Sequence, residues 1–93
     1  MNKKKLKVAR IKIDQLDRNI FNLIKRRTKV VKYMLGLKQF KNQIVDHKRI
    51  NEIIKNIKSK SIKNKIDPKI TTRIWKSIIW SYVDYQKRNF KKK

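Results

Sequence analysis

Several polar side chains in this chain lie where a helical pattern calls for apolar residues, and their types suit the binding of an anion. The candidate set is Arg10, Arg27, Lys38, Asp46, Arg49, Tyr82 and Gln86. A cation on an apolar helix face is costly unless an anion meets it. Convergence of the four cations of this set on one cavity would create a site for a small molecule with more than one negative charge.

The spacing of Arg27 and Lys38 places them on one helix face. Apolar residues recur at steps of three and four from residue 13 to residue 34, which is typical of an amphipathic helix. This stripe consists of Ile13, Leu16, Ile20, Leu23, Ile24, Val30, Val31 and Met34. Arg27 falls in a gap of the stripe, and Lys38 follows Met34 by four residues. Helical geometry puts the two cations within roughly 20° of each other and about 16 Å apart, so both could reach one small ligand.

Arg10 cannot share a small site with Arg27 of its own chain. The two lie about 25 Å apart along one helix at 1.5 Å per residue. If Arg10 binds the same ligand, it must come from a second chain. The first helix, at about 35 residues, is also too long for a compact monomer of this size. Both observations predict a homodimer.

Composition limits the chain to one small all-α domain spanning residues 1–93. It has one Gly and one Pro, so few turns are possible, and its hydrophobic period is helical, which together favour three helices. The lack of Cys excludes disulfides and thiolate metal sites and fits a reducing cytoplasm. No apolar run approaches the length of a membrane span, and the basic start of the chain has no apolar stretch behind it, so we expect neither a membrane segment nor a secretory signal.

The net charge of +23 is the most prominent number in the composition. Lys, Ile and Asn dominate the chain together, as an AT-rich genome would encode whatever the function. Most of the lysines are explained as solvated residues on exposed faces. The field is nevertheless real, because 29 basic residues face six acidic ones, and it would attract anions of any size, including nucleic acid.

Helix signals divide the chain into three segments. We predict helix 1 over about 6–40, a loop over 41–46, helix 2 over about 47–62, a connection over 63–66 and helix 3 over about 68–90, with frayed Lys-rich ends at 1–5 and 91–93. Asp46 is a good N-cap for helix 2. Asp67 and Pro68 form a strong start signal for helix 3.

The joint spacing of these features resembles the all-helical chorismate mutase family over nearly the whole chain, from about Leu6 to Arg88. The resemblance rests on four segments: Arg10 to Lys38 with its Gly36-Leu37-Lys38 end, Val45-Asp46-His47-Lys48-Arg49, the Ile66-Asp67-Pro68 helix start, and Ile78-Ile79 followed by Gln86. It implies a three-helix protomer in an intertwined homodimer with two active sites, each acting on a small dianionic substrate without cofactor or metal.

The resemblance also implies roles for the candidate residues. Arg10 of the partner chain and Arg27 would hold the two substrate carboxylates. Lys38 and Gln86 would bind the ether oxygen whose bond to carbon breaks when chorismate becomes prephenate. Asp46, Arg49 and Tyr82 would lie near the remaining polar groups of the substrate.

Two positions depart from the typical mutase pattern. Ile50 stands where these mutases place a Glu, and Tyr82 where they commonly place a Ser. Both departures resemble the isochorismate-pyruvate lyase branch of the same fold, and also some relatives assigned as mutases. A lyase that makes salicylate and pyruvate is therefore the first alternative function.

Simpler explanations remain open for each candidate. Arg10, Arg27, Lys38 and Arg49 could be ordinary surface cations, Asp46 a helix cap alone, Tyr82 an aromatic at the edge of the core, and Gln86 the point where the stripe meets water. A basic helical protein that binds nucleic acid is the second alternative. We expect no specific nucleic-acid partner, because no known motif is present and the aromatic residues cluster in helix 3.

Overall fold

The computed structural model describes residues 2–92, and in that range the chain forms three α-helices and no strand. Helix α1 spans Lys3–Leu37, α2 spans His47–Lys63 and α3 spans Pro68–Asn89. A single 3-10 turn, Lys41–Gln43, lies between α1 and α2. The prediction of an all-α fold with three helices and a long first helix is confirmed.

Helix α1 begins and ends about three residues earlier than predicted. The side chain of Asn2 accepts a hydrogen bond from the backbone N–H of Lys5 at 3.0 Å, which stabilises the first turn. Helix α1 thus includes Lys3 to Lys5, which belong to the stretch that we predicted to fray, while Met1, like Lys93 at the other end, lies outside the described residues. At the far end, the backbone N–H of Lys38 bonds to the Leu35 carbonyl in a tightened last turn.

One loop side chain turns the backbone after α1. The Gln43 amide oxygen accepts hydrogen bonds from the backbone N–H groups of Gln39 and Phe40, each at 2.8 Å. These two donors have no helical partner beyond the end of α1, and Gln43 satisfies both. Ile44, the next residue, is buried and fixes the loop to the core.

Helices α2 and α3 begin at the predicted caps. Asp46 accepts from the backbone N–H of Arg49 at 3.0 Å, and Asp67 accepts from that of Lys69 at 2.9 Å. Pro68 occupies the first position of α3, where its missing N–H costs no hydrogen bond. The sequence signals for both helix starts are confirmed.

A left-handed residue ends α2. Lys65 has a φ of 56°, and its N–H donates to the carbonyl of Ile62 while the N–H of Ile66 donates to that of Ser61. This pair of bonds is the Schellman arrangement, in which Gly is the usual left-handed residue. Lys65 adopts this conformation with a side chain that disfavours it.

The chain divides into two compact units, one up to Tyr33 and one from Met34 onward. In the second unit α2 and α3 pack against each other around three buried residues, Ile44, Ile79 and Val83. Other apolar side chains are partly buried against this cluster: Leu35, Val45, Ile50, Ile53, Ile54 and Phe90. Apolar residues of α2 and α3 thus supply much of this core.

The first unit is the greater part of α1, and most of its apolar stripe is exposed. Leu16 and Ile20 have exposed fractions of 55% and 54%, and Ile13 and Leu23 are similar. Val31 is the residue of α1 that is buried. None of the helices within residues 2–92 combines the length and the apolar character that crossing a membrane requires.

Candidate active site

The central contact of the candidate site joins Lys38 to Gln86. The Lys38 ammonium donates a hydrogen bond to the Gln86 Oε1 at 2.5 Å, although 48 residues separate them in the chain. Lys38 lies one residue beyond the end of α1, and Gln86 lies on the buried face of α3 with 7% of its surface exposed. The fold of the second unit therefore brings together two of the residues that the sequence analysis named.

The Gln86 side chain is held in one orientation by two hydrogen bonds. Its Nε2 donates to the backbone carbonyl of Tyr82 at 3.2 Å. Lysine can only donate, so the amide oxygen of Gln86 must face Lys38 and the amide nitrogen must face away from it. An amide nitrogen carries two hydrogens, and the bond to Tyr82 uses one of them. The second hydrogen remains as a donor for a ligand.

Partial burial lowers the pKa of Lys38 from its ordinary value of 10.5. The cause is desolvation, which penalises the charged form of the amine. The same removal of water strengthens the attraction between the ammonium and any negative charge placed beside it. Lys38 combines a hydrogen-bonded position with a partly desolvated positive charge, which suits stabilisation of a developing anion.

Asp46 and Arg49 occupy the first turn of α2 and its cap. The Asp46 carboxylate is used as the N-cap, as predicted, and the residue is exposed. The Arg49 guanidinium is also exposed and lies 3.8 Å from Glu52, its i+3 neighbour. An exposed pair of this kind is weak, so Arg49 is available for a stronger anion at little cost.

Tyr82 is half-buried one helical turn before Gln86. Its backbone carbonyl orients the Gln86 amide, a contribution that any residue type at this position could make. A role for its ring in ligand binding stays a prediction.

Arg10 and Arg27 lie on α1 in the first compact unit, and both are exposed. Helical rise separates them by about 25 Å within their own chain. Their place in the site, including the supply of Arg10 by a partner chain, stays a prediction.

The donor set has no metal-binding character in the part of the chain that the structure describes. Residues 2–92 contain no cluster of three or more His, Asp or Glu side chains that could hold a metal ion. What the second unit offers a ligand is an ammonium, an amide donor and an exposed guanidinium.

Comparison with known protein families shows to which family the chain with this Lys38–Gln86 contact belongs. The family model described as chorismate mutase type II matches residues 9–87. The chain belongs to the chorismate mutase type II family. Searches of curated proteins and of solved structures found no significant match.

As a chorismate mutase family member, the chain has its whole set of seven candidate residues within the matched range. Ile50 and Tyr82 lie within it as well, and the family match covers the mutase and lyase branches without separating them. The resemblance stated from the sequence is thus confirmed for the family, and the branch remains open.

Sequence reasoning overlooked two side chains beside the candidate residues. Glu52 forms an exposed ion pair with Arg49, and Gln43 fixes the loop that follows Lys38. The first could have been found from its i+3 spacing on a helix. The second could not, because its two partners are backbone N–H groups that any sequence would present.

Proposed function

We propose that this protein is a chorismate mutase, an isomerase that converts chorismate to prephenate with the whole chain, 1–93, acting as one domain of a homodimer. The observation that carries the proposal is the contact between the partly buried Lys38 ammonium and the buried Gln86 amide in a chain of this family. Such a pair suits an oxygen atom that gains negative charge during a reaction.

The chemistry of the rearrangement matches this pair. Chorismate rearranges by a pericyclic step that needs no nucleophile, metal or proton transfer, and negative charge develops on the ether oxygen as its bond to carbon breaks. A hydrogen-bond donor that is already directed at that oxygen lowers the activation barrier, because the donor does not have to reorient when the charge develops. Lys38 has three ammonium hydrogens and Gln86 accepts one, so two remain for the oxygen. The second amide hydrogen of Gln86 is a further donor.

Two carboxylate clamps complete the proposed site. Arg27 would bind one carboxylate, and Arg10 from a partner chain would bind the other. Guanidinium groups bind carboxylates through two parallel hydrogen bonds, which would hold the substrate in its compact reactive conformer. Arg49 and Asp46 would contact the remaining polar groups of the ring. The exposed apolar stripe of α1 supports a second chain, since its burial requires a partner.

The isochorismate-pyruvate lyase reaction is the second candidate, and it is favoured by position 50. Ile50 packs against the core of the second unit, so position 50, where typical mutases place a Glu, offers no carboxylate to a ligand. Tyr82 is the other departure in the lyase direction. The lyase would use the same cationic site to release salicylate and pyruvate.

The two candidates are separated by following both substrates with purified protein. We expect chorismate to disappear with formation of prephenate, measured by NMR, and Lys38→Ala to abolish most of this turnover. Salicylate fluorescence from isochorismate in the absence of prephenate formation would assign the lyase instead. Failure to consume either substrate would overturn both assignments.

A further inference from the structure

Helix α3 carries a row of cations with one tryptophan on its exposed side, away from the candidate active site. We call this row the cationic stripe, and its members are Lys69, Arg73, Lys76, Trp80 and Lys87. Their spacing of four, three, four and seven residues puts them within about 60° of one another around the helix and along about 27 Å of its length. All five are exposed, and Trp80 has 45% of its surface accessible.

The stripe and the candidate site use different faces of α3. Gln86 is buried, and it lies about 120° around the helix from Trp80. The stripe therefore has no part in the proposed mutase chemistry. Trp80 adds a large aromatic face to this row of cations.

Few acidic groups offset the stripe. On the described part of α3, Asp84 is the acidic residue within the helix, and its carboxylate is paired with Arg88 at 2.9 Å. Asp84 lies about 40° around the helix from Trp80, so one carboxylate stands near the end of the stripe, and the four cations still leave an excess of positive charge along this face. A linear array of this kind is complementary to a chain of phosphodiesters.

The surroundings of Trp80 indicate which polyanion fits. Its neighbours on the exposed side include Ser77, Ser81 and Lys76, and the exposed apolar residues Ile70 and Ile74 lie about 80° to 120° away around the helix. A membrane-binding face would group apolar residues with the tryptophan. An isolated ring between cations instead suits a nucleic-acid base, which stacks on an aromatic side chain while its phosphates meet Lys and Arg.

We propose that the cationic stripe binds single-stranded nucleic acid without sequence preference, with Trp80 stacking on one base. Single strands are specified because the bases of a duplex are already stacked on one another and offer no free face. The inference is independent of the proposed mutase function, and it differs from general attraction by the net charge because it assigns binding to one helix face.

The charge component is tested by comparing two triple variants of equal net charge. Lys69→Gln/Arg73→Gln/Lys76→Gln removes three members of the stripe, and Lys48→Gln/Lys55→Gln/Lys58→Gln removes three exposed lysines of α2. Binding of labelled RNA and DNA strands of about 12 nucleotides is measured by anisotropy across salt concentrations. The slope of log affinity against log salt is negative. We expect its magnitude to decrease by about two in the stripe variant and to stay unchanged in the α2 control. Equal slopes in the two variants would overturn the proposal.

The aromatic component is tested with a strand that lacks bases. Trp80→Ala should weaken binding of an oligothymidylate by about fivefold to a hundredfold, the range for loss of one stacked base, and should leave an abasic strand of equal length unaffected. Trp80→Phe, which keeps a ring, should retain most of the affinity. An equal effect on both strands, or none, would overturn the proposal.

Folding and a membrane partner are controlled in the same series. All variants should keep the helical circular dichroism and chorismate turnover of the wild type, since none changes a residue of the candidate site. If Trp80→Ala abolished binding to vesicles of anionic phospholipid and left oligothymidylate binding intact, the stripe would be a membrane-binding surface and the proposal would be wrong.

Discussion

The ammonium of Lys38 depends on one side-chain acceptor, the Oε1 of Gln86, in a place where water solvates it only partly. The two other ammonium hydrogens would bind the substrate oxygen while Gln86 holds the Lys38 side chain in place. That oxygen would be partly anionic in the transition state and thus a stronger acceptor than in the ground state. Bonds that strengthen as this charge develops are the way the pair would favour the transition state.

We expect turnover to depend on Lys38 more than on other cations of the chain. Lys38→Ala removes the charge beside the breaking bond and should lower the rate by about 10²-fold or more, the scale for losing one such donor. Lys25→Ala changes an exposed lysine of α1 and should have little effect. Steady-state kinetics on chorismate compare the two variants, and equal losses would refute the specific role of Lys38.

The turnover rate should depend on pH through the protonation of the Lys38 amine. Turnover needs protonated Lys38, and burial lowers the pKa of this group, so the rate should decline with rising pH at values below 10.5. A guanidinium stays charged throughout this range, so any activity of Lys38→Arg should lack the alkaline decline. A decline at the same pH in both proteins would show that another group titrates.

Asp46 allows its two possible roles to be separated by substitution. Asn caps helices about as well as Asp, whereas Ala loses the bond to the Arg49 N–H. We expect Asp46→Ala to lower the free energy of unfolding by about 1 kcal/mol and Asp46→Asn to leave it nearly unchanged. Urea unfolding measures both. If Asp46→Asn folds normally and turnover still falls, the carboxylate contributes to the substrate site as well as to the cap.

At this scale, sequence identified Lys38 and Gln86 as members of one site but not their contact. Helical phase tells which face of a helix a residue occupies, and it says nothing of which residue 48 positions away will meet that face. The bond of Gln86 to the Tyr82 carbonyl is local and follows from their four-residue spacing. The bond to Lys38 needs the packing of α2 on α3 and the loop that Gln43 fixes.

At the scale of elements, the caps decide where the helices begin and end. Asp46 and the Asp67-Pro68 pair have strong local signals, and the starts of α2 and α3 were predicted from them within a residue. The limits of α1 were missed because its cap is Asn2 in a run of lysines and its exit is shaped by a side chain from the loop. Local chemistry predicts an element end when an adjacent cap stands out from its surroundings, as Asp46 and the Asp67-Pro68 pair do.

The left-handed end of α2 gives a stability prediction. Lys65→Gly should raise the free energy of unfolding by about 1 kcal/mol, because Gly adopts a positive φ without the Cβ penalty. Lys63→Gly, two residues earlier and inside the helix, should lower it by a similar amount. Urea unfolding at one protein concentration tests both, and destabilisation by Lys65→Gly would contradict the Schellman assignment.

At the scale of the whole molecule, the apolar stripe of α1 calls for a partner. The stripe was predicted as the core-facing side of an amphipathic helix, yet Leu16, Ile20 and Leu23 are each more than half exposed. Sequence periodicity shows that a face will be buried but not whether its own chain or a second copy buries it. The proposed homodimer would supply the missing contact.

Substitutions on neighbouring α1 positions test that dimer. Ile20→Glu places a charge on the stripe and should dissociate the dimer, lowering the mass measured by light scattering and abolishing turnover. Phe21 is 69% exposed and lies about 100° around the helix from Ile20, off the stripe. Phe21→Glu should therefore keep both the dimer mass and the turnover. A wild-type protein that is monomeric and fully active at micromolar concentration would refute the dimer.

The central claim, a chorismate mutase site completed by Arg10 of a second chain, is tested most directly by mixing two inactive variants. Arg10→Ala and Arg27→Ala should each lose nearly all turnover, since each removes a carboxylate clamp from both sites. A heterodimer of the two contains one site with both arginines and one site with neither. Random exchange makes about half the dimers heterodimers, so turnover should recover to about a quarter of the wild-type rate. No recovery, with subunit exchange verified by mass spectrometry, would contradict the shared site.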